Sequence, residues 1–329
     1  MNTRFILSFT FLFSCSILCF AQHGGVPADT NKTDASGKKI GFGKEVVMGI
    51  AYFGYYENGL KEGNWVSYHP GSTQLQFLDS YHNGKKNGIS IANDAYGNFM
   101  KEEYYTNDTL DGLSKFFFDN GKPKSYTTYK HGILHGAKKT YYQDGRPQEE
   151  FNFVNGKKDG VAKWYYGGGI LMSEYTYKGG ILEGVQKNYT KTNKLQNEVT
   201  ATKNEYEGPM TEYYESGKPK GSVNYVHGKR QGLYKATSED GKMVTITVKY
   251  KDDMMDGEYK ELFDNGKPKL TGKYVMGKRQ GPWKAYDDAG KEYLAIYKDD
   301  VMISGEKAPE PKPEPTKTSP PPPPRPPNH

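Results

Sequence analysis

The chain is poor in the residues from which most domains build their cores and their chemistry. Of its 329 residues two are cysteine and three are tryptophan. Both cysteines, Cys15 and Cys19, lie in the apolar N-terminal stretch. Once that stretch is removed, no thiol remains for a disulfide, a thiolate metal site or a cysteine nucleophile. Aliphatic residues are sparse and the mean hydropathy is -0.86, which excludes a thick aliphatic core. Buried area has to come from rings, which carry much area per side chain. Charge of one sign is lacking too: 45 Lys and Arg against 39 Asp and Glu give +6, with the signs interspersed. Such a surface is solvated and mildly basic, without the one-sided charge of a nucleic-acid binder. Apart from the N-terminal apolar run, no window sustains a helical period.

Glycine and tyrosine are abundant instead, at 39 and 28. Eleven glycines form a ladder: Gly63, Gly88, Gly112, Gly136, Gly160, Gly184, Gly208, Gly232, Gly257, Gly281 and Gly305, with eight steps of 24 residues and two of 25. A phase held that long is an internal repeat. It replaces the two or three domains suggested by length with one quasi-linear array. In each unit the glycine is expected to open a first strand. An aromatic follows five residues on, at Tyr68, Phe117, Tyr141, Tyr165, Tyr189, Tyr213 and Tyr286. A turn such as Asn120-Gly121 or Asp144-Gly145 comes next, its glycine supplying the positive φ of a tight hairpin. The second strand ends in an aromatic and a further turn, as in Tyr81-His-Asn-Gly84 and Tyr225-Val-His-Gly228. The fold expected is all-β, an elongated antiparallel single-layer sheet of about eleven 24-residue β-hairpin repeats. One hairpin cannot stand alone, so stability has to be collective.

Four segments follow. Residues 1–21 read as a signal peptide: Arg4, an apolar run from Phe5 to Phe20, then Ala21 before a cut ahead of Gln22. A retained anchor is disfavoured because the run is short for a membrane span. Lipidation at Cys15, within Leu12-Phe13-Ser14-Cys15, is the less favoured alternative, since it leaves apolar Ser16–Phe20 on the mature end. Residues 22–44 form a polar leader expected to be disordered. The array occupies 45–305. Residues 306–329 hold eleven of the 19 prolines and favour extended polyproline II, a stiff spacer or a docking ligand.

Gly63-Asn-Trp65-Val-Ser-Tyr68 and Gly281-Pro-Trp283-Lys-Ala-Tyr286 share the pattern Gly-x-Trp-x-x-Tyr, which closely resembles the MORN repeat. The Tyr-x-x-Gly and Asn-Gly turns are similar to its bacterial variant form, the YwqK-family antitoxin-like type. The resemblance covers the whole array and implies consecutive hairpins in one sheet. Functionally it implies scaffolding, self-association and contact with lipid headgroups, and it supplies no catalytic residue. Several units depart from the pattern: Asn93 and Thr237 stand in aromatic slots, while Asn193, Ala201 and Asn204 replace Gly, an aromatic and Gly. These departures are expected to weaken local stacking.

A second ladder runs three residues after the glycines: Lys115, Lys139, Lys163, Lys187, Lys235, Lys260 and Lys284. In a strand this slot and the aromatic two residues later share a face. The candidate binding face is therefore Tyr141, Tyr165, Tyr189 and Tyr213 with Lys139, Lys163 and Lys187. It would suit an acidic protein segment, a phosphorylated lipid head or an acidic glycan. The plainer alternative lays lysine stems over tyrosine rings with the ammonium in water. Basic turn residues such as Lys122-Pro123-Lys124 and Lys229-Arg230 read as turn solubility. His131 and His135 bracket a turn and lack a third ligand. Asp252, Asp253 and Asp256 lack the spacing of a calcium loop. No catalytic, cofactor or metal residues are expected. The sequence thus points to an exported, non-enzymatic scaffold for protein–protein contact, including contact with its own copies through an open sheet edge. The alternatives are a cell-envelope glycan or anionic-lipid binder at the membrane surface, and an antitoxin or immunity-like neutraliser of a protein toxin.

Overall fold

The computed structural model describes residues 30–306. The expected signal peptide with Cys15, the first residues of the leader, and the proline tail from Lys307 onward lie outside the described residues. Among the described residues the secondary structure is entirely β. The chain divides into two compact units, one ending at Lys158 and the other beginning at Asp159. The first carries the strands from Gly41–Val47 to Lys157–Lys158, the second those from Gly160–Tyr165 to Val301–Gly305. Within each, successive strands pair antiparallel, as Ile181–Tyr189 does with both Leu171–Lys178 and Leu195–Thr202.

The ladder glycines do not generally open a strand. Gly136 is the fourth residue of Ile133–Tyr141, and Gly184 the fourth of Ile181–Tyr189. All eleven have positive φ, from 68° to 135°, a region that side chains resist. The reason is a bulge. Leu134 faces Tyr129 while Lys138 already faces Thr127, so the strand gains two residues over its predecessor around Gly136. On its other side Gly136 faces Phe153, as Gly160 faces Tyr177, Gly208 faces Tyr225 and Gly281 faces Tyr297. Those rings are buried. The glycine ladder and the aromatics before the second turns are therefore paired across neighbouring strands, with Ala201 in the aromatic's place opposite Gly184.

The two turn classes exchange the roles expected of them. Asn83-Gly84 and Asn155-Gly156 have positive φ at both residues (52° and 79°, 49° and 77°). These are the tight two-residue turns of type I′. Asn120-Gly121 and Asp144-Gly145 belong to wider loops in which only the glycine has positive φ. There Asn120 Oδ1 and Asp144 Oδ1 accept the N–H groups of Lys122 and Arg146, at 3.1 and 2.9 Å.

Neighbouring repeats are tied at the tight turns. Gly132 N donates to Leu110 O at 2.7 Å, and Gly228 N to Tyr206 O at 3.0 Å. A carboxylate just before the ladder glycine takes the adjacent turn N–H: Lys203 N donates to Glu183 Oε2 at 3.0 Å and His227 N to Glu207 Oε1 at 2.8 Å. The departing repeat keeps these ties. Asn193 adopts φ 61° in place of glycine and Lys203-Asn204 forms a two-residue turn at 52° and 69°. Asparagine tolerates this conformation better than most residues, so the strand pairing passes through without a break.

Order also begins earlier than the expected leader boundary of 44. Gly41–Val47 is already a strand, and Asn31 bonds both the N and the O of Lys44, at 2.9 and 3.1 Å. An aperiodic polar segment is ordered here because an asparagine side chain supplies bonds that a flanking strand would otherwise make.

Packing repeats the same motif in both units. Trp65 meets Tyr56 edge-on at 4.9 Å, and Trp283 meets Tyr274 at 4.9 Å. Each tryptophan lies over a glycine of the preceding strand, Gly54 and Gly272. Between them the row differs. In the second unit it is largely apolar, with Val199, Met210, Val223 and Val248. In the first it is polar: Asp79 accepts from Ser90 Oγ and Lys86 Nζ at 2.6 and 2.8 Å, and buried Glu103 pairs with Lys101 at 2.8 Å.

A Cβ built on Gly272 would sit 2.2 Å from the Trp283 ring. Gly272→Ala should therefore destabilise the second unit by about 1–3 kcal/mol through overpacking, read from denaturant unfolding together with the near-ultraviolet signal of Trp283. Gly167→Ala, where nothing lies within 4 Å, should stay within about 0.5 kcal/mol of the parent. Equal effects at the two sites would refute this packing account.

Candidate binding face

The predicted face falls into two parts. Lys139 and Tyr141 belong to the first unit, Lys163, Tyr165, Lys187, Tyr189 and Tyr213 to the second. Each of the four tyrosines ends its strand just before a wide loop, at a register shift such as that between Thr140 and Tyr141. All four are half-buried. In the first unit Tyr141 meets Tyr126 edge-on at 5.5 Å.

The lysines do not form a basic strip. In the second unit one row across successive strands reads Lys163, Glu174, Lys187, Glu198, Thr211, each residue facing the next. Lys163 pairs with Glu174 at 3.3 Å. Tyr189 donates its hydroxyl to Glu174 at 2.9 Å and Tyr213 donates to Glu198 at 2.6 Å. In the first unit Lys115 pairs with Glu102 at 2.8 Å and Lys139 with Glu150 at 3.5 Å. Charge therefore alternates, and the rings of Tyr189 and Tyr213 are pinned by carboxylates of the same row. Burial, reinforced by those carboxylates, pushes the Tyr189 and Tyr213 hydroxyls up to about 12. Tyr141 is raised by burial as well. The glutamates were visible in the sequence, since Glu150, Glu174 and Glu198 stand 24 residues apart. Their role as lysine partners needed the hairpin register, which composition does not give.

The row changes character further along the second unit. Lys235 faces Thr247, which faces Lys260, and the two lysines line a shallow hollow with Val244 and Leu262. No glutamate stands in this part of the row. Lys284 reaches Glu292 instead, at 3.1 Å.

The histidines act at turns. His131 Nδ1 lies 3.5 Å from Asp111, and His135 Nδ1 accepts the N–H of Asn155 at 3.4 Å. Glu205, Glu207 and His227 bring three ligand atoms within 4.8 Å of one another. Glu207, however, occupies the same turn-capping position as Glu183 and Asp111, so capping accounts for its placement.

With this geometry in view, the family described as MORN repeat variant matches residues 110–131, 134–155, 158–178 and 206–227. The chain is a MORN repeat protein. The matched stretches at 110–131, 134–155 and 206–227 close on the first residue of a tight turn, and all four contain one ladder glycine, so the family unit and the structural hairpin coincide. No curated protein matches the chain significantly.

One carboxylate in the MORN array is out of balance. Burial raises Glu212 above the ordinary carboxylate range, although Lys220, Tyr234 and Arg230 all oppose the shift. A raised folded-state value means that the stability contribution is complete below the unfolded value and is lost as pH rises through the folded one. Glu212→Gln should accordingly raise the thermal midpoint at pH 7 and leave it unchanged at pH 4. A gain of equal size at both values would contradict the assignment.

Proposed function

We propose that this MORN protein is an exported, non-enzymatic scaffold that binds polypeptides through its tyrosine–lysine–glutamate face. The observation that carries the reading is the pinning of half-exposed rings by cross-strand carboxylates, Tyr189 to Glu174 and Tyr213 to Glu198. Rings already held in place lose little conformational freedom when a partner arrives, and flanking charges of both signs set its register. Self-association has separate support. The last strand, Val301–Gly305, presents Val301, Met302 and Ile303 at 64%, 42% and 60% exposure, with neither a charge nor a proline. Such an edge invites a further strand. Affinity purification from the native host should recover a protein partner with the parent chain and lose it with Tyr189→Ala plus Tyr213→Ala at unchanged circular dichroism. Undiminished recovery would overturn the reading. Sedimentation across a wide concentration range should show association that Ile303→Lys removes, and a strictly monomeric parent would remove self-association from the proposal.

A second reading, the binding of an anionic envelope glycan or lipid, is favoured by the row at Lys235, Thr247 and Lys260, which has cations and a hydroxyl but no glutamate. Lys235→Ala plus Lys260→Ala should abolish retention on anionic liposomes or peptidoglycan, whereas Lys163→Ala should not. Equal retention by all the variants would reject it.

A further inference from the structure

We propose that the Tyr213–Tyr189–Tyr165 ladder of the second unit is a polyproline II seat, and that its occupant is the chain's own segment Pro320–Pro327. This rests on the peptide-binding reading of the same face and names the peptide.

The first ground is pitch. The three tyrosines stand in the same slot of consecutive repeats, two strands apart, and adjacent strands lie about 4.8 Å apart, so successive rings are spaced about 9.6 Å. A polyproline II helix repeats every three residues with a rise of about 3.1 Å each, or about 9.3 Å per turn. A segment laid across the strands would thus bring every third residue over the next tyrosine. Pro320, Pro323 and Pro326 have that spacing and are all proline. Proline rings on aromatic faces are a standard mode of polyproline recognition.

The second ground is reach. From the strand Glu205–Tyr213 to the strand Val301–Gly305 there are eight inter-strand steps, about 38 Å. The fifteen residues from Gly305 to Pro320 extend to about 46 Å as polyproline II. Tyr286 stands alone in the slot nearest the tail, and the two repeats between it and Tyr213 have Thr237 and Leu262 there, so the segment has to pass over them before it meets rings in consecutive slots, of which Tyr213 is the first. The spacer fits that distance with little excess. Attachment in the same chain gives the segment a high effective concentration at this seat, which favours it over the tail of a second copy.

The third ground is bonding. A polyproline II backbone leaves its carbonyls free to accept. Among the described residues Lys187, two residues before Tyr189 on the same strand, has no salt-bridge partner and is free to donate. Arg325 brings a positive charge to a row whose acids are Glu174 and Glu198.

The test uses a synthetic peptide of residues 316–329 titrated calorimetrically into two full chains, the parent and one with Pro320–Pro324 replaced by glycine and serine. The substituted chain should bind the peptide, and the parent should bind it about ten-fold more weakly or worse, because its own segment competes. Tyr189→Ala in the substituted chain should abolish binding. A peptide carrying Pro323→Gly, which leaves the protein untouched, should bind poorly. Equal affinity for the two chains, or no binding to either, overturns the proposal. Concentration-dependent association of the parent that the proline replacement removes would also overturn it, by placing a second copy's tail on the face. If the peptide fails while Tyr189→Ala plus Tyr213→Ala still loses a host partner, this inference falls and the scaffold reading stands.

Discussion

A glycine of positive φ at the bulge is the constraint on which the repeats depend. It absorbs the extra residues that let a strand change register against its predecessor. A side chain there would strain the backbone. On the successor strand a ring stands opposite it, as Phe153 does opposite Gly136, with Ala201 in that place opposite Gly184. Because the bulge and the ring lie on opposite neighbours of one strand, the glycine couples three strands at a time. The tie from each tight turn to the preceding strand, Gly132 to Leu110 and Gly228 to Tyr206, adds the same coupling at the edge. Stability is therefore shared between neighbours, as expected of a chain with so few aliphatic residues.

The opposite side of the strands follows a different rule. Lysine and glutamate alternate across the row, and Tyr189 and Tyr213 at the strand ends bond to the glutamates. The arrangement neutralises what looks like a basic strip in the sequence and holds the rings in place. Where glutamate gives way to threonine, at Thr247, the lysines stand without acids in register. One face thus offers two chemistries, an ordered aromatic stretch and a cationic one.

Much of the fold was legible in the residues. The ladder glycines, the tight turns and the aromatics announced hairpins, and Trp65 and Trp283 announced the family. The place of the glycine inside its strand was not legible, because a bulge is defined against the partner strand and a glycine alone reads equally well as the opening of a strand. The two turn classes were confused for a related reason: Asn-Gly serves both, and the length of the loop depends on which residues pair beyond it. Asn193, Ala201 and Asn204 looked like defects. Local conformation shows two of them substituting for glycine through asparagine's tolerance of positive φ. Of the binding face, the tyrosines and lysines could be picked out by spacing, but their glutamate partners required the register.

The sequence by itself determined the period, the hairpin, the turn positions and the shortage of aliphatic core, since each is written within a few consecutive residues. Tertiary structure alone decided which residues face each other across strands. It decided that Gly136 meets Phe153, that Lys163 meets Glu174 and that Asp79 and Glu103 lie in a buried polar row. Side-chain partners in a sheet are set by register, and a slip of one residue would exchange the two faces entirely.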